Sequence, residues 1–168
     1  DGVKRVRYTS PHPQDITENL IVIMKKYDNI CNYVHLPLQS GSNRILKNMN
    51  RTYTREQYLD LVKMIRYHMP NCSISTDIIV GFPGETKEEF NETLDLVENV
   101  KFDFSYTFKF SSRPGTKASE YTNQIDEKIK QTRLERLIKI QNKIRLEVNK
   151  DRIGSMQKVL IEKESKKS

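Results

Sequence analysis

The chain has 168 residues, 36% of them hydrophobic and 30% charged, with a mean hydropathy of −0.71. That is a soluble composition with apolar material for one core, and no window holds the ~18 successive apolar residues of a membrane span. Six glycines and six prolines exclude collagen-like and low-complexity classes, and Cys31 and Cys72 alone exclude a disulfide framework or a self-contained Cys-rich metal site. No N-terminal stretch has the basic, apolar, small-residue order of a signal peptide; with only two cysteines, a reducing cytoplasm is the default expectation. The net charge of +7 is uneven: residues 1–119 contribute +2 and residues 120–168 contribute +5. A basic C-terminal portion suits a polyanion such as nucleic acid, or is a solvated helix face rich in Lys and Arg.

In chain order, Val3–Tyr8 alternates apolar and basic residues and predicts a strand, stopped by Ser10-Pro-His-Pro13. Asp15–Tyr27 predicts a helix, with Thr17 as a candidate N-cap and Leu20, Ile23, Met24 and Tyr27 as its buried face. Tyr33–Leu38 predicts a strand, and Ser40-Gly-Ser-Asn43 a turn capping a short helix, Arg44–Met49. Thr54 with Gln57 three residues later is a capping box opening a helix over Arg55–His68. Cys72–Val80 predicts a third strand, Gly81-Phe-Pro-Gly84 its loop, and Thr86 the cap of a helix from Lys87 to Val100 with Phe90, Leu94 and Val97 inward. A fourth strand over Asp103–Phe110 is followed by the loop Ser111–Thr116 and a long helix, Asp126–Lys150. That helix carries an apolar stripe of Ile129, Leu137, Ile140, Ile144 and Val148, with Leu134 and Ile138 as a second row. Beyond Gly154, Met156–Ile161 predicts one more strand.

Strands alternating with helices predict βαβ units and a parallel sheet, as an open doubly wound sheet or part of a barrel. Four βα units are half of an eight-fold barrel. The start at Asp1-Gly2, directly before a strand, and the end just after one read as cuts through a longer protein. A boundary near Arg152–Gly154 separates residues 1–152, the α/β part, from residues 153–168.

In parallel α/β folds ligands gather at the C-terminal strand ends. Here these are Ser10-Pro-His12, Gln39-Ser-Gly-Ser42, Gly81-Phe-Pro-Gly-Glu85 and Ser111-Ser-Arg-Pro-Gly-Thr116. Gly81 to Glu85 is a loop whose glycines admit a flat ligand close to the backbone, or an ordinary turn with Glu85 at a helix N-terminus. Gln39, Ser40 and Ser42 offer ribose-type hydrogen bonds or simple capping. Arg113 suits a carboxylate or phosphate, or a surface ion pair. Asp77, the one acid inside an apolar strand, needs a partner and is either a site residue or a structural acceptor. His12, His35 and His68 need no more than structural roles, and Cys31 and Cys72 read as small buried residues.

Three motifs carry a resemblance. They are His35-Leu-Pro-Leu-Gln-Ser-Gly-Ser-Asn-Arg-Ile-Leu-Lys-Asn-Met-Asn-Arg51 with Tyr53-Thr-Arg55, Thr76-Asp-Ile-Ile-Val-Gly-Phe-Pro-Gly-Glu-Thr86, and Ser112-Arg-Pro-Gly-Thr-Lys-Ala118. Together they resemble the radical S-adenosylmethionine methylthiotransferases. Ser10-Pro-His-Pro13 and Gln39–Asn43 resemble the MiaB type, which adds a methylthio group to carbon 2 of N6-isopentenyladenosine beside the tRNA anticodon. The resemblance spans essentially the whole chain. It implies a partial barrel of six βα units, of which this chain supplies the third to sixth.

The resemblance further implies S-adenosylmethionine and two [4Fe–4S] clusters as cofactors. It places Gly81, Pro83 and Glu85 against the cofactor's adenine and Gln39, Ser40, Ser42 and Arg113 toward its ribose and methionine carboxylate, with Asp77 added to the cofactor group. In the family a reduced cluster cleaves S-adenosylmethionine and the resulting radical abstracts substrate hydrogen. Gly154, Val159–Glu162 and Ser165–Lys167 resemble the first strand of a TRAM domain, a small RNA-binding barrel. Arg51, Lys163, Lys166 and Lys167 are the implied contacts to tRNA. The family's CxxxCxxC loop is missing from these residues, since Cys31 and Cys72 match neither cluster site. The isolated chain is therefore expected to be catalytically inactive, to bind S-adenosylmethionine weakly at best, and to self-associate through exposed sheet edges. Other readings are a methylthiotransferase for threonylcarbamoyl-adenosine in tRNA or for a ribosomal-protein aspartate, and a non-enzymatic RNA-binding module.

Overall fold

A computed structural model describes residues 2–7, 11–156, 159 and 161. After a single 3-10 turn at Pro13–Asp15 the elements are α1 (Glu18–Lys26), β1 (Tyr33–His35), α2 (Asn43–Asn48), α3 (Arg55–His68), β2 (Ser73–Val80), α4 (Lys87–Val100), β3 (Phe104–Lys109), α5 (Lys117–Glu120) and α6 (Glu127–Lys150). The three strands form one parallel sheet in the order β1-β2-β3, joined by helical crossovers as the alternation predicts.

Helix boundaries follow local chemistry. Thr17, Ser42, Thr54 and Thr86 each accept a backbone N–H three residues on. Thr54–Gln57 and Thr86–Glu89 are full reciprocal capping boxes, each cap contributing ~1 kcal/mol. Asp126 caps α6.

One face of the sheet is covered. Ile74, Thr76, Ile78 and Val80 alternate along β2 and are all buried, packing with Tyr58, Val62 and Ile65 of α3, Phe90, Leu94 and Val97 of α4, and Leu137 and Ile144 of α6. Gln141 reaches in from α6 to donate to the Phe102 carbonyl at 2.8 Å. The opposite face carries Tyr33, His35, Ser73, Ser75, Asp77 and Ile79, and in register with them Phe104, Tyr106 and Phe108, which are exposed.

Several sequence expectations shift. Of the expected strand Val3–Tyr8, the described residues 3–7 make one parallel bridge, Val6 to Ile30, rather than a ladder, and Tyr8 lies outside the described residues; Val3 stays exposed, so little apolar burial holds residues 3–7 in register. On α1, Met24 is buried and Leu20 packs against the core as expected, but Ile21 completes the inward stripe while Ile23 and Tyr27 are exposed, Tyr27 lying just past the helix end at Lys26. On α6, Leu137 and Ile144 are buried with Gln141 on one stripe, while Ile138, a residue off that stripe, and Ile129, near the start of the helix, are exposed. Of the segment Met156–Ile161, the described Met156, Val159 and Ile161 are exposed and carry no strand pairing. Residues 157, 158 and 160 lie outside the described residues, as do Lys163, Lys166 and Lys167.

Candidate functional site

The C-terminal strand ends place three loops on one rim: Leu36–Ser42 after β1, Gly81–Thr86 after β2 and Phe110–Thr116 after β3.

The first loop leaves the ladder through a bulge. Leu36 N and Gln39 N donate to Ser75 O and Asp77 O, and Ile79 N returns a bond to Gln39 O, with Gln39 at φ +69°. Two buried tyrosines hold this path. Tyr58 Oη donates to Leu36 O at 2.8 Å, and Tyr53 Oη lies 2.9 and 3.0 Å from the carbonyls of Pro37 and Leu38. Burial pushes the Tyr53 phenol up to about 12, against a smaller opposing pull from Arg51, so it stays a donor. Gly41 is where α4 comes closest: an added Cβ would lie 2.5 Å from Thr93 Cα. Gly41 N donates to Thr93 Oγ1 at 2.9 Å.

Ser42 does two jobs within the fold, capping α2 and donating to Glu89 Oε1 at 3.1 Å. Glu89 is 8% exposed and also takes two bonds from Arg44, at 2.7 and 2.6 Å, and one from Thr86 N. Desolvation is the largest single influence on its carboxyl and pushes it up, but these donors together hold it below the ordinary range.

The second loop is packed by its own chain. Gly81 and Gly84 have φ +74° and +75°, and a Cβ there would strike the Lys130 stem and the Asn123 amide. Phe82 packs edge-on to Phe110 and Tyr121. Glu85 turns inward: Oε2 accepts from Gly81 N at 2.8 Å and pairs with Arg133, while Oε1 is buried with no partner among the described residues. Desolvation raises its pKa, opposed by the Gly81 N–H and Arg133. The glycines thus serve close approach, but the groups approaching are Lys130 and Asn123.

The structure brings Gln39, Ser40, Ser42, Gly81, Pro83 and Glu85 to this rim as buried residues. Arg113 is on the same rim, in the third loop, and exposed. Asp77 lies lower on the open sheet face, with Oδ1 3.3 Å from His35 Nε2. Arg51 is half-buried, its backbone N bonded to Leu46 O and its Nε buried without a partner among the described residues.

Sequence reading missed a network on the open face: Ser75 Oγ meets Tyr33 Oη at 2.6 Å and His35 Nδ1 at 2.7 Å, and His35 stacks edge-on against Tyr106. The period-two register of Tyr33, His35, Ser75 and Asp77 was the available signal. It also missed the Glu85–Arg133 pair, which spans 48 positions and leaves no local pattern.

Cys31 is half-buried, not fully buried, and Cys72 is buried. Burial, then Asp103, pushes the Cys72 thiol up to about 12, and an iron–sulfur cluster needs thiolates. No group of three or more His, Cys, Asp or Glu among the described residues is placed to hold a metal. The residues present do not fit a cluster. Among the described residues no helix is long and apolar enough to cross a membrane.

Three comparisons bear on identity. The chain is 52% identical over 99% of its length to a tRNA-2-methylthio-N(6)-dimethylallyladenosine synthase of Thermoanaerobacter sp. (strain X514), covering 36% of it. It is 50% identical over 98% to the synthase of that name from Pelotomaculum thermopropionicum, covering 37%. The chain thus spans little more than a third of these relatives. Coproporphyrinogen III oxidase (HemN) of Escherichia coli, a radical SAM enzyme, superposes with a TM-score of 0.66 at 19% identity over 80% of this chain and 31% of its own, which supports the barrel-type α/β fold. Residues 1–97 match the Radical SAM superfamily, and the chain belongs to it.

Proposed function

We propose that this chain is the back part of a radical S-adenosylmethionine methylthiotransferase that adds a methylthio group to carbon 2 of an N6-isopentenyl (dimethylallyl) adenosine in the tRNA anticodon loop. The observation that carries it is half identity along nearly the whole chain to synthases of that name. Residues 1–152 form the partial barrel in this reading, and residues 153–168 begin a TRAM-like unit. Gln39, Ser40, Ser42, Asp77, Gly81, Pro83, Glu85 and Arg113 are the cofactor group. Within it, the exposed Arg113 side chain is the part turned to S-adenosylmethionine, since Ser42, Glu85 and the backbone N–H groups of Gln39, Ser40 and Gly81 already bond within the fold. Two [4Fe–4S] clusters take their ligands from outside these 168 residues, so the chain alone is inactive. Arg51, Lys163, Lys166 and Lys167 are proposed RNA contacts, and the cytoplasm, where tRNA is modified, is the location.

Nucleoside mass spectrometry of tRNA from a strain deleted for the gene is the test. Loss of the 2-methylthio form with accumulation of the unthiolated isopentenyl nucleoside supports the reading. Loss of a methylthiolated threonylcarbamoyl nucleoside, or no change, overturns it. Gel filtration tests a second part of the proposal, self-association through the open sheet with its exposed Phe104, Tyr106 and Phe108; a monomer at all concentrations overturns it.

A further inference from the structure

A cavity of about 430 Å³ opens between α4 and α6, lined by Lys87 and Phe90 of the first and Lys128, Ile129, Arg133 and Arg136 of the second. We propose that this groove is a docking site for the sugar–phosphate backbone of single-stranded RNA next to the nucleotide held at the rim; this rests on the tRNA reading above.

Charge is the first argument. Four cations line the cavity, and no carboxylate does among the described residues. Arg133 is engaged by Glu85. Lys87, Lys128 and Arg136 are exposed, and among the described residues none forms an ion pair. The nearby acids are occupied or turned aside: Glu127 takes Lys109 and Lys130, Glu135 accepts from Gln131, and Glu89 holds Arg44. Glu88, beside Lys87 in sequence, is not among the lining residues.

Shape is the second. Arg136 lies 5.8 Å from the Phe90 ring centroid while its Nη1 donates to Asn91 Oδ1 at 3.1 Å, so its guanidinium is held rather than free. Phe90 is buried beneath the Arg133 and Arg136 guanidinium groups, at 5.6 and 5.8 Å from its ring centroid, so the exposed Ile129, the aliphatic stems and the guanidinium planes form the floor that a ligand would meet. Single-stranded nucleic acid presents such alternation, phosphate outside and flat apolar faces within, and proteins meet it with cationic grooves over aromatic or guanidinium planes.

Position is the third. α4 and α6 both start at the C-terminal end of the sheet, and Arg133 ties the groove's wall to Glu85 in the rim loop. RNA with one nucleotide at the rim would lay neighbouring phosphates over Lys87, Lys128 and Arg136.

The test is fluorescence anisotropy of a labelled anticodon stem-loop RNA with this chain across a salt series. The triple variant Lys87→Gln, Lys128→Gln, Arg136→Gln is set against a control of equal charge loss far from the groove, Lys25→Gln, Lys26→Gln, Lys63→Gln. Circular dichroism melts establish that both are folded. The groove variant should bind at least ~10-fold more weakly, and its slope of log affinity against log salt should fall by about 2, at ~0.7–0.9 for each phosphate no longer neutralised. The control should change less than ~2-fold. Unchanged affinity and slope in the groove variant, an equal loss in the control, or no binding by the parent chain overturns the proposal. The nucleoside analysis of the deletion strain reads the enzymatic function independently, so the groove can fail while that function stands.

Discussion

The two faces of one sheet behave as different materials. On the covered face, Ile74, Ile78 and Val80 are at most 1% exposed and meet α3, α4 and α6. On the open face, Tyr106 and Phe108 are half exposed, and beside them runs the polar chain Tyr33–Ser75–His35–Asp77. The covered face is closely packed and sets stability, because removing a buried methylene leaves a cavity. Among the described residues nothing packs over Phe104, Tyr106 and Phe108 of the open face, so truncating them there leaves no cavity.

That contrast can be broken or sharpened by measurement. The largest effect belongs to Ile78→Ala on the covered face, expected to cost ~2–5 kcal/mol in urea unfolding; a loss under ~1 kcal/mol would mean that face is not close-packed. Gly41→Ala comes next. Its Cβ would meet α4 backbone rather than a side-chain tip, so the helix must withdraw, at ~1–3 kcal/mol. A melting temperature equal to the parent's would contradict the close approach.

Glu89 gives a pH test. Its carboxyl is held below the ordinary range, so its contribution is present above that range and lost as pH falls through the depressed value. Glu89→Gln should therefore lower stability at neutral pH and flatten the acid limb of a stability-against-pH profile. Parallel profiles for the two proteins would show that Arg44 and Ser42 do not hold the charge. The smallest effect is on the open face: at concentrations where the chain is monomeric, Phe108→Ala, half exposed, should stay within ~0.5 kcal/mol of the parent. A loss that grows with protein concentration is what a second copy on that face would produce, and a loss above ~1 kcal/mol in the monomer would show that the face is packed within one chain.

Much was legible because its causes are local. α3 and α4 occupy the ranges read from Thr54 with Gln57 and from Thr86, since a capping side chain and its backbone partner are three residues apart. The apolar run Cys72–Val80 showed a strand with one acid, Asp77, within it. The inward face of α1 was legible only in part: Leu20 and Met24 do pack inward, but Ile21 rather than Ile23 completes the stripe, because Leu20 and Met24 lie one turn apart and either flanking isoleucine fits beside them. The motif residues of the rim could be named from sequence, but not what each touches. Ser42 and Glu89 are 47 positions apart, Glu85 and Arg133 are 48, and nothing local couples them.

The sequence by itself determined the order of the three strands of the sheet, the helices α1, α2, α3, α4 and α6 between and after them, most of their caps and the place of the rim, because hydrophobic period and turn chemistry act over a few residues. Only the tertiary structure decided which face of the sheet is covered, that Gly81 and Gly84 make room for Lys130 and Asn123, and that Glu85 is buried against Arg133 while Lys87, Lys128 and Arg136 converge on one groove. Those outcomes depend on how α4 and α6 seat against β2 and β3, and packing between distant segments leaves no periodic trace in the chain.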